Sequence, residues 1–459
     1  MFRLPDRAYV AHVRAASEFA EEHRDRREAP TRLLGRLHRH MKPSRLRIIV
    51  TGLIAQHPLL GGVTWDYLQY VLGLARLGHD VYYFEDSGQW PYTLDGGGSY
   101  DCTPNVEHLA RVMTRFGLRN RWAYHFPIKP RWFGLSHRER RAVLASADLL
   151  INVSGTLRRP QEYRPARRLV YIDSDPVFTQ VKLKLARGHL KFRKRLEAHD
   201  LHFSFGESFS PGVPDTGHRW RPTRQPIVLS EWQSSTPRDV FTTVMNWTSY
   251  QPLRYRGQDY GQKDVELKRF LELPAKVRST VLEVAVSALN RRTADWQTDD
   301  SSLPPAVRRL ALRNPQWTPG DLLHHMGWRM VGALEVCQDL DRYRDYIQSS
   351  KAEWSVAKNG YVRGQAGWFS CRSACYLAAG KPVVVQDTGF GAILPVGEGI
   401  LGFRTMEEAV AAIREVEGDY PRHAKAARAI AEEYFDSDKV LTRLIEQALS
   451  VDPGPAGGG

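Results

Sequence analysis

The stretch RLRIIVTGLIAQHPLLGGVTWDYLQYVLGLARLGHDVYYFE, residues 45–85, sets the architecture of the chain. Its first run, RLRIIVTGLIA (45–55), is short and β-rich, as strands buried in a parallel sheet are. A loop carrying Gly61 and Gly62 leads into VTWDYLQYVLGLARLG (63–78). There Val63, Tyr67, Val71, Leu72, Leu74 and Ala75 recur at helical spacing, and Gly78 stops the helix. HDVYYFE (79–85) reads as a second strand, so the stretch is a βαβ unit with parallel strands.

The same rhythm continues along the chain. DLLINVS (148–154), RLVYID (168–173) and DLHFSF (200–205) are further strand-like runs, and PIVLSEW (226–232) reads as the passage out of this series. A second series follows: FTTVMNW (241–247), VLEVAVS (281–287), MVGALEV (330–336), EWSVA (353–357), KPVVVQ (381–386) and GILGF (399–403). Thr405 with Glu408 forms a capping box for a helix to about Glu417, and a last helix runs from near Ser437 to about Ser450. Two α/β series of similar size predict two Rossmann-like domains facing a cleft, with ligands at the carboxyl ends of the strands. The expected organisation is a charged helical extension (1–45), a first Rossmann-like domain (46–235), a second (236–425), C-terminal helices (426–452) and a disordered tail (453–459).

Size and composition agree with this. At 459 residues the chain exceeds what one hydrophobic core normally supports, and 42% apolar with 25% charged residues is ordinary for a globular enzyme. There is no apolar run long enough to span a bilayer, and the Arg- and Glu-rich first 45 residues lack a secretory signal, so a cytoplasmic protein is expected. Cys102, Cys337, Cys371 and Cys375 are too few for a disulfide framework and read as buried thiols. The net charge of +14 is concentrated between Arg119 and Arg195. That segment would meet an anionic surface, such as a membrane headgroup layer or nucleic acid, or would simply be a solvated face. Within it, LKLARGHLKFRKRL (183–196) reads as an amphipathic helix facing the core.

The chemistry is concentrated in YVRGQAGWFSCRSACYLAAGKPVVVQDTGFG (361–391). Gly360, Gly364 and Gly367 precede a helix beginning near Ser370, and a helix start offers unpaired N–H groups and a positive dipole end to a diphosphate. Arg363 and Arg372 would add charge-assisted bonds. The loop DTGFG (387–391) would bring Asp387, Thr388, Gly389 and Phe390 to the same anion.

These residues resemble the GT-B superfamily of glycosyltransferases. The helix end AAGKPVV with the polar Gly-containing loop after it is similar to that superfamily's donor-binding signature, and GWFS (367–370) is similar to its plant-type Gly-Trp-Asn-Ser element. The resemblance is most specific over 353–417, and the pattern looks more like the bacterial spore-maturation-protein-like and uncharacterised branches than a well-studied one. It implies GT-B architecture with a C-terminal helix crossing back to the first domain. It also implies a UDP- or GDP-sugar as co-substrate, with no metal. By the same resemblance Asn246, Lys263, Lys358, Asn359 and Ser370 join the donor side. Where many members place a ribose-gripping Glu, this chain has Cys375, with Ser373 the nearest polar substitute.

On the first domain, His57 would act as the base that takes the acceptor proton, or is a plain loop histidine. Gly61, Gly62 and Asp66 are placed on the acceptor side. Asp173 and Asp175, in YIDSDP, read as a base or cation pair, or as a turn capped by Asp, which Pro176 favours. Glu207 is a further acidic candidate. The acceptor is open among small molecule, glycan, lipid and nucleic acid. A DNA-modifying glycosyltransferase, or a nucleic-acid-binding protein without catalysis, is the alternative function. A nicotinamide dehydrogenase would use Glu85, but TGLIAQHPLLGG lacks the compact glycine fingerprint.

Overall fold

The computed structural model describes residues 45–92, 98–185, 189–287, 303–314 and 316–450. The expected N-terminal extension, apart from Arg45, and the expected tail lie outside the described residues.

The first sheet contains β1 (Arg47–Thr51), β2 (Asp80–Glu85), β3 (Trp122–Phe126), β4 (Arg131–Gly134), β5 (Leu149–Val153), β6 (Leu169–Asp173), β7 (Leu201–Ser204) and β8 (Trp220–Pro222). Its order is β4-β3-β2-β1-β5-β6-β7-β8, and only β4 runs antiparallel to its neighbour. A small antiparallel hairpin, β10 (Leu253–Tyr255) with β11 (Gln258–Tyr260), follows β9 (Phe241–Asn246). The second sheet joins β9 to β12 (Leu282–Ser287), β13 (Arg329–Gly332), β14 (Ala352–Ser355), β15 (Val383–Gln386) and β16 (Ile400–Phe403). It is wholly parallel, in the order β13-β12-β9-β14-β15-β16. The chain thus has two Rossmann-like α/β lobes, the GT-B architecture.

Local chemistry explains the elements. β5 buries all five residues, which a strand covered on both faces requires. The helix Gly61–Arg76 is buried without a break from Tyr67 to Leu74, so it is covered on every side there, and Gly78 ends it at a φ of +89°, where a side chain would be strained. The Thr405–Glu408 capping box is present at the start of the helix Met406–Gly418. The last helix, Ser437–Leu449, packs back onto Gly61–Arg76, where Leu441 Cδ1 lies 2.5 Å from where a Cβ on Gly73 would be. One buried apolar cluster runs through Leu68, Tyr376 and Leu441, so from Leu46 onward the chain is one compact unit.

Two readings of the sequence are corrected. MVGALEV is a strand only to Gly332 and turns into the helix Ala333–Cys337, because a short apolar run has no periodicity that separates the two states. LKLARGHLKFRKRL is not one helix: Phe178–Lys184 and Leu190–Glu197 are separate, and only Leu196 is buried in the latter. No helix among the described residues is long and apolar enough to cross a membrane.

Candidate functional site

In each sheet the winding reverses at one pair of neighbouring strands, β1/β5 in the first and β9/β14 in the second. Loops leaving such a pair splay apart and open a crevice. Both crevices open into one cleft of about 330 Å³. Leu60, Gly62, Val63, Asp66, Val153 and Ser154 line it from the first lobe, and Met245, Asn246, Lys263 and Lys358 from the second.

The second-lobe wall is cationic. Lys263 begins the helix Lys263–Leu267, and its ammonium has no hydrogen-bond or ion-pair partner among the described residues. Burial, then the like charge of Arg372, and further Lys358, hold its pKa well below the ordinary lysine value, against the pull of Glu353. Arg372 lies one residue into the helix Cys371–Ala378, whose N-cap, Ser370, makes no side-chain cap. The first amides of that helix are left without internal partners, and Ser370, Cys371 and Arg372 all line the cleft. Lys358 Nζ reaches Asp175 Oδ1 of the first lobe at 2.9 Å. Tyr250 Oη donates to Asp175 Oδ2 at 2.5 Å, and Tyr361 Oη donates to Oδ1, so Asp175 is the centre of a polar bridge between the lobes. Burial alone would raise the Asp175 pKa, but Lys358, Lys182 and these hydroxyls hold it below the usual carboxylate range.

Among the described residues, the first-lobe wall carries one carboxylate. Asp66 lies on the first turns of Gly61–Arg76, and its carboxylate makes no hydrogen bond with another described residue. Burial pushes its pKa up to about 7, with Arg372 opposing. Near neutral pH this group exchanges a proton readily, as a general base must.

Several expected site residues are placed elsewhere. The segment around Gly360 and Gly364 is a helix, Asn359–Gly364, not a free loop. A Cβ on Gly360 would lie 2.5 Å from the Phe178 ring, and one on Gly364 would lie 2.3 Å from Val177. Gly367 sits at a φ of +74° against the Ser208 backbone, and Ser210 Oγ donates to Gly364 O at 2.7 Å. These glycines let the lobes approach, and none lines the cleft. Arg363 is exposed, and Asn359 binds the Gly261 amide and Glu266 instead of facing the cleft.

The 387–391 turn also closes on its neighbours. Gly367 N–H donates to Thr388 O at 2.9 Å, the Gly389 amide to Asp387 Oδ1 at 2.8 Å, and the Thr388 hydroxyl to Trp368 O. Asp387 also pairs with Arg404, and Phe390 packs on Phe369 with ring centres 5.5 Å apart. What remains beside Ser373, Thr388 and Phe390 is a void of about 20 Å³, room for about one water and not a phosphate. The single anion pocket expected from both turns is therefore corrected: only the Ser370–Arg372 end reaches the cleft.

Arg372 is more than a ligand group. It pairs with Glu353 Oε1 at 2.6 Å and donates to Val244 O at 2.7 Å and Ser355 Oγ at 2.6 Å. Glu353 is fully buried, so removing Arg372 would leave a carboxylate without compensation. Arg372→Ala would therefore cost stability as well as positive charge in the cleft.

The first-lobe candidates sort by their partners. His57 stacks on Tyr92 with ring centres 4.7 Å apart, outside the cleft, and burial lowers its pKa to about 4. Asp173 accepts from Thr179 Oγ1, Gln180 Nε2, Ser204 Oγ and the Asp175 amide, so it caps the turn and has little left to offer a substrate. Burial raises its pKa against those bonds. Glu207 is tied to Arg224 at 2.5 Å in a separate recess with Arg443. Gly61 packs against the Asp339 backbone, while Gly62 meets the Tyr343 ring at the cleft rim. Glu85 accepts from the Ala55 and Gln56 amides and from Tyr83 Oη, which fastens the loop after β1 and leaves no ribose-binding acid. Reading the residues in order missed Ser154, Ser174, Gln262, Tyr343 and Trp368. Of these only Ser154 shows backbone strain, at a φ of +59°, and strain has no signature in sequence.

Comparison with protein-family models and with curated proteins finds no match. Among solved structures the chain is similar to an alpha-glucosyltransferase (AGT) in complex with UDP, at a TM-score of 0.54 and 13% identity over 88% of this chain and 99% of that one. An alpha-glucosyltransferase in complex with UDP and a 13-mer DNA containing a central A:G mismatch aligns at a TM-score of 0.52, again at 13% identity over 88% and 99%. Anabaena Alr3699/HepE in complex with UDP and glucose aligns at 0.48 and 11% identity, over 89% and 100%. At such identities the two alpha-glucosyltransferase alignments, whose TM-scores exceed 0.5, establish a shared GT-B fold and nothing finer.

Proposed function

We propose that the protein transfers a sugar from a nucleoside diphosphate sugar, UDP-linked by preference, to an acceptor hydroxyl. The observation that carries this reading is Lys263, a buried amine with no hydrogen-bond or ion-pair partner among the described residues, held with Arg372 and Lys358 beside the start of the helix Cys371–Ala378. Two or more negative charges placed there would relieve the repulsion, and a diphosphate supplies them. Asn246, Gln262 and Trp368 complete the wall on which the nucleoside would lie. The UDP complexes of the similar alpha-glucosyltransferase structures support the choice of uridine.

In the transfer, the acceptor oxygen attacks the anomeric carbon and its proton passes to Asp66. The bond from that carbon to the diphosphate oxygen breaks, and the electron pair leaves on the diphosphate. Lys263, Arg372 and the helix amides stabilise that charge as it develops. Attack from the side opposite the leaving group inverts the anomeric centre. These cations supply the positive charge at the diphosphate, so donor binding is expected to resist EDTA.

A thermal shift tests the donor reading, because a ligand that binds only the folded chain raises its melting temperature. UDP is expected to raise Tm with or without EDTA, and Lys263→Ala to remove most of the rise. Absence of any rise with either UDP or GDP at millimolar concentration would overturn it. A second acceptor reading, a hydroxymethylated base in DNA, draws on the chain's +14 charge and on the DNA-bound alpha-glucosyltransferase structure.

A further inference from the structure

Four large aromatic side chains are strongly exposed among the described residues, and three of them belong to one loop. Trp90 is 45% exposed, Tyr92 43% and Tyr100 69%, all in the segment that leaves β2. Isolated exposed apolar groups need no explanation, but a cluster of rings does.

The cluster is built, not frayed. Asn105 is buried, and its Nδ2 donates to Ala55 O at 2.8 Å and to Tyr92 O at 3.2 Å, fastening this loop to the one after β1. The Tyr92 amide donates to Gln56 O at 3.0 Å, and Tyr92 bridges to Gly98. A Cβ on Gly98 would stand 2.9 Å from the Trp90 ring, so glycine there lets the indole pack close against the backbone. Tyr100 then meets Trp90 edge-on with ring centres 4.9 Å apart. Tyr92 rests on the His57 imidazole on its other side.

Gln56, Gln89, Trp90, Tyr92 and Gly98 together line an open recess of about 590 Å³, within the usual size of small-molecule sites (about 300–1,000 Å³). None of these residues is charged. Gln56 Nε2 donates to Gln89 Oε1 at 2.9 Å, and Ser87 Oγ donates to Gln56 Oε1 at 3.1 Å, which fixes the amides and leaves the Gln89 amide nitrogen to face solvent. The loop after β1 carries Gln56 into this recess and, four positions later, Leu60 into the cleft. Between them, the first-lobe wall of the cleft offers Ser154, Ser174, Gln225 and Asp66, and no cation.

We propose that the recess lined by Trp90 and Tyr92, with Tyr100 edge-on to Trp90 beside it, is a binding subsite for a neutral saccharide, which is the acceptor of the transfer and runs from this platform along the loop after β1 to Asp66. Sugar rings present a flat C–H face to an aromatic ring and hydroxyls to side-chain amides, and the recess offers both. Single-stranded nucleic acid also stacks on aromatics, but its binding needs cations along the backbone, and the described residues that line the recess provide none. The subsite's role as the acceptor site rests on the donor reading above. Its binding of saccharide does not.

The test measures binding to the full chain without donor. Maltohexaose, cellohexaose, mannohexaose and an oligothymidylate are titrated against the wild type, Trp90→Ala and Trp90→Phe, with the UDP-induced Tm rise recorded in parallel. At least one hexasaccharide is expected to bind the wild type, with affinity lowered roughly tenfold or more in Trp90→Ala and partly retained in Trp90→Phe. The UDP response should be the same in all three. Failure of every hexasaccharide to bind, equal binding by Trp90→Ala, or Trp90-dependent binding of the oligothymidylate alone would overturn the proposal. Loss of the UDP response in the wild type, with saccharide binding intact, would instead remove the donor reading and leave a saccharide-binding site.

Discussion

Asp66 and Lys263 face the same cleft, each without an ion-pair partner among the described residues and each with its pKa displaced by burial. Stability would favour neutralising both, so their retention fits a site that pairs them only with substrate. Asp66→Asn is expected to lower kcat by about 10²–10⁴-fold while leaving the donor KM nearly unchanged, since the amide keeps the shape but cannot take a proton. The wild-type rate should fall as pH drops through about 7, where Asp66 protonates. Its stability effect has the opposite sense. From about pH 4, where the unfolded carboxyl ionises, to about 7, where the folded one does, the native state binds the extra proton and loses stability as pH rises. Asp66→Asn should therefore melt higher than wild type at pH 8 and equal to it near pH 4. Melting curves of the pair at both values check this, and a lower Tm for the variant at pH 8 would contradict it. The sequence shows Asp66 as one acid on a helix, because desolvation is a property of what surrounds it.

The glycines of 360–367 show why helices and loops were readable where their purpose was not. A run of glycines ahead of a helix suits phosphate, and it equally suits two elements in close contact. The ring of Phe178 and the methyls of Val177, over 180 residues away in sequence, decide for contact. Val177 is itself held at a φ of +71°, costly for a β-branched residue, and it sits fully buried in this seam. Gly360→Ala is expected to destabilise the fold by about 1–3 kcal/mol through overpacking while the folded fraction binds UDP as wild type does. Denaturant unfolding with a parallel UDP titration separates the two; a loss of UDP affinity at unchanged stability would return these glycines to the donor site. By contrast, the Thr405–Glu408 cap and the Gly78 stop were read correctly because their causes lie within four residues.

For the molecule as a whole, the C-terminal helix makes the two lobes one body. Phe435 O accepts from the Ile227 amide at 2.7 Å, and the Ser437 amide donates to Ile227 O at 2.8 Å, after which Ser437–Leu449 lies along Gly61–Arg76. Leu441, Leu444, Ile445 and Ala448 are buried there. Each large side chain stabilises by about 1.5–3 kcal/mol, a large share of the 5–15 kcal/mol that holds a typical domain. Truncation after Asp436 is expected to abolish cooperative melting and expose apolar surface, read by calorimetry and by dye binding; a truncated chain that melts as wild type would show that the helix only decorates the first lobe.

Hydrophobic period and punctuation, both local, were enough to give most of the parallel strands, the two α/β series and the returning last helix. The strands β4 and β8 escaped because they are edge strands with half-exposed, irregular patterns. The site needed three dimensions. Lys263, Lys358 and Arg372 meet Asp66 only because two switch points face each other across a cleft, and whether a charge there is paired depends on neighbours more than a hundred positions away.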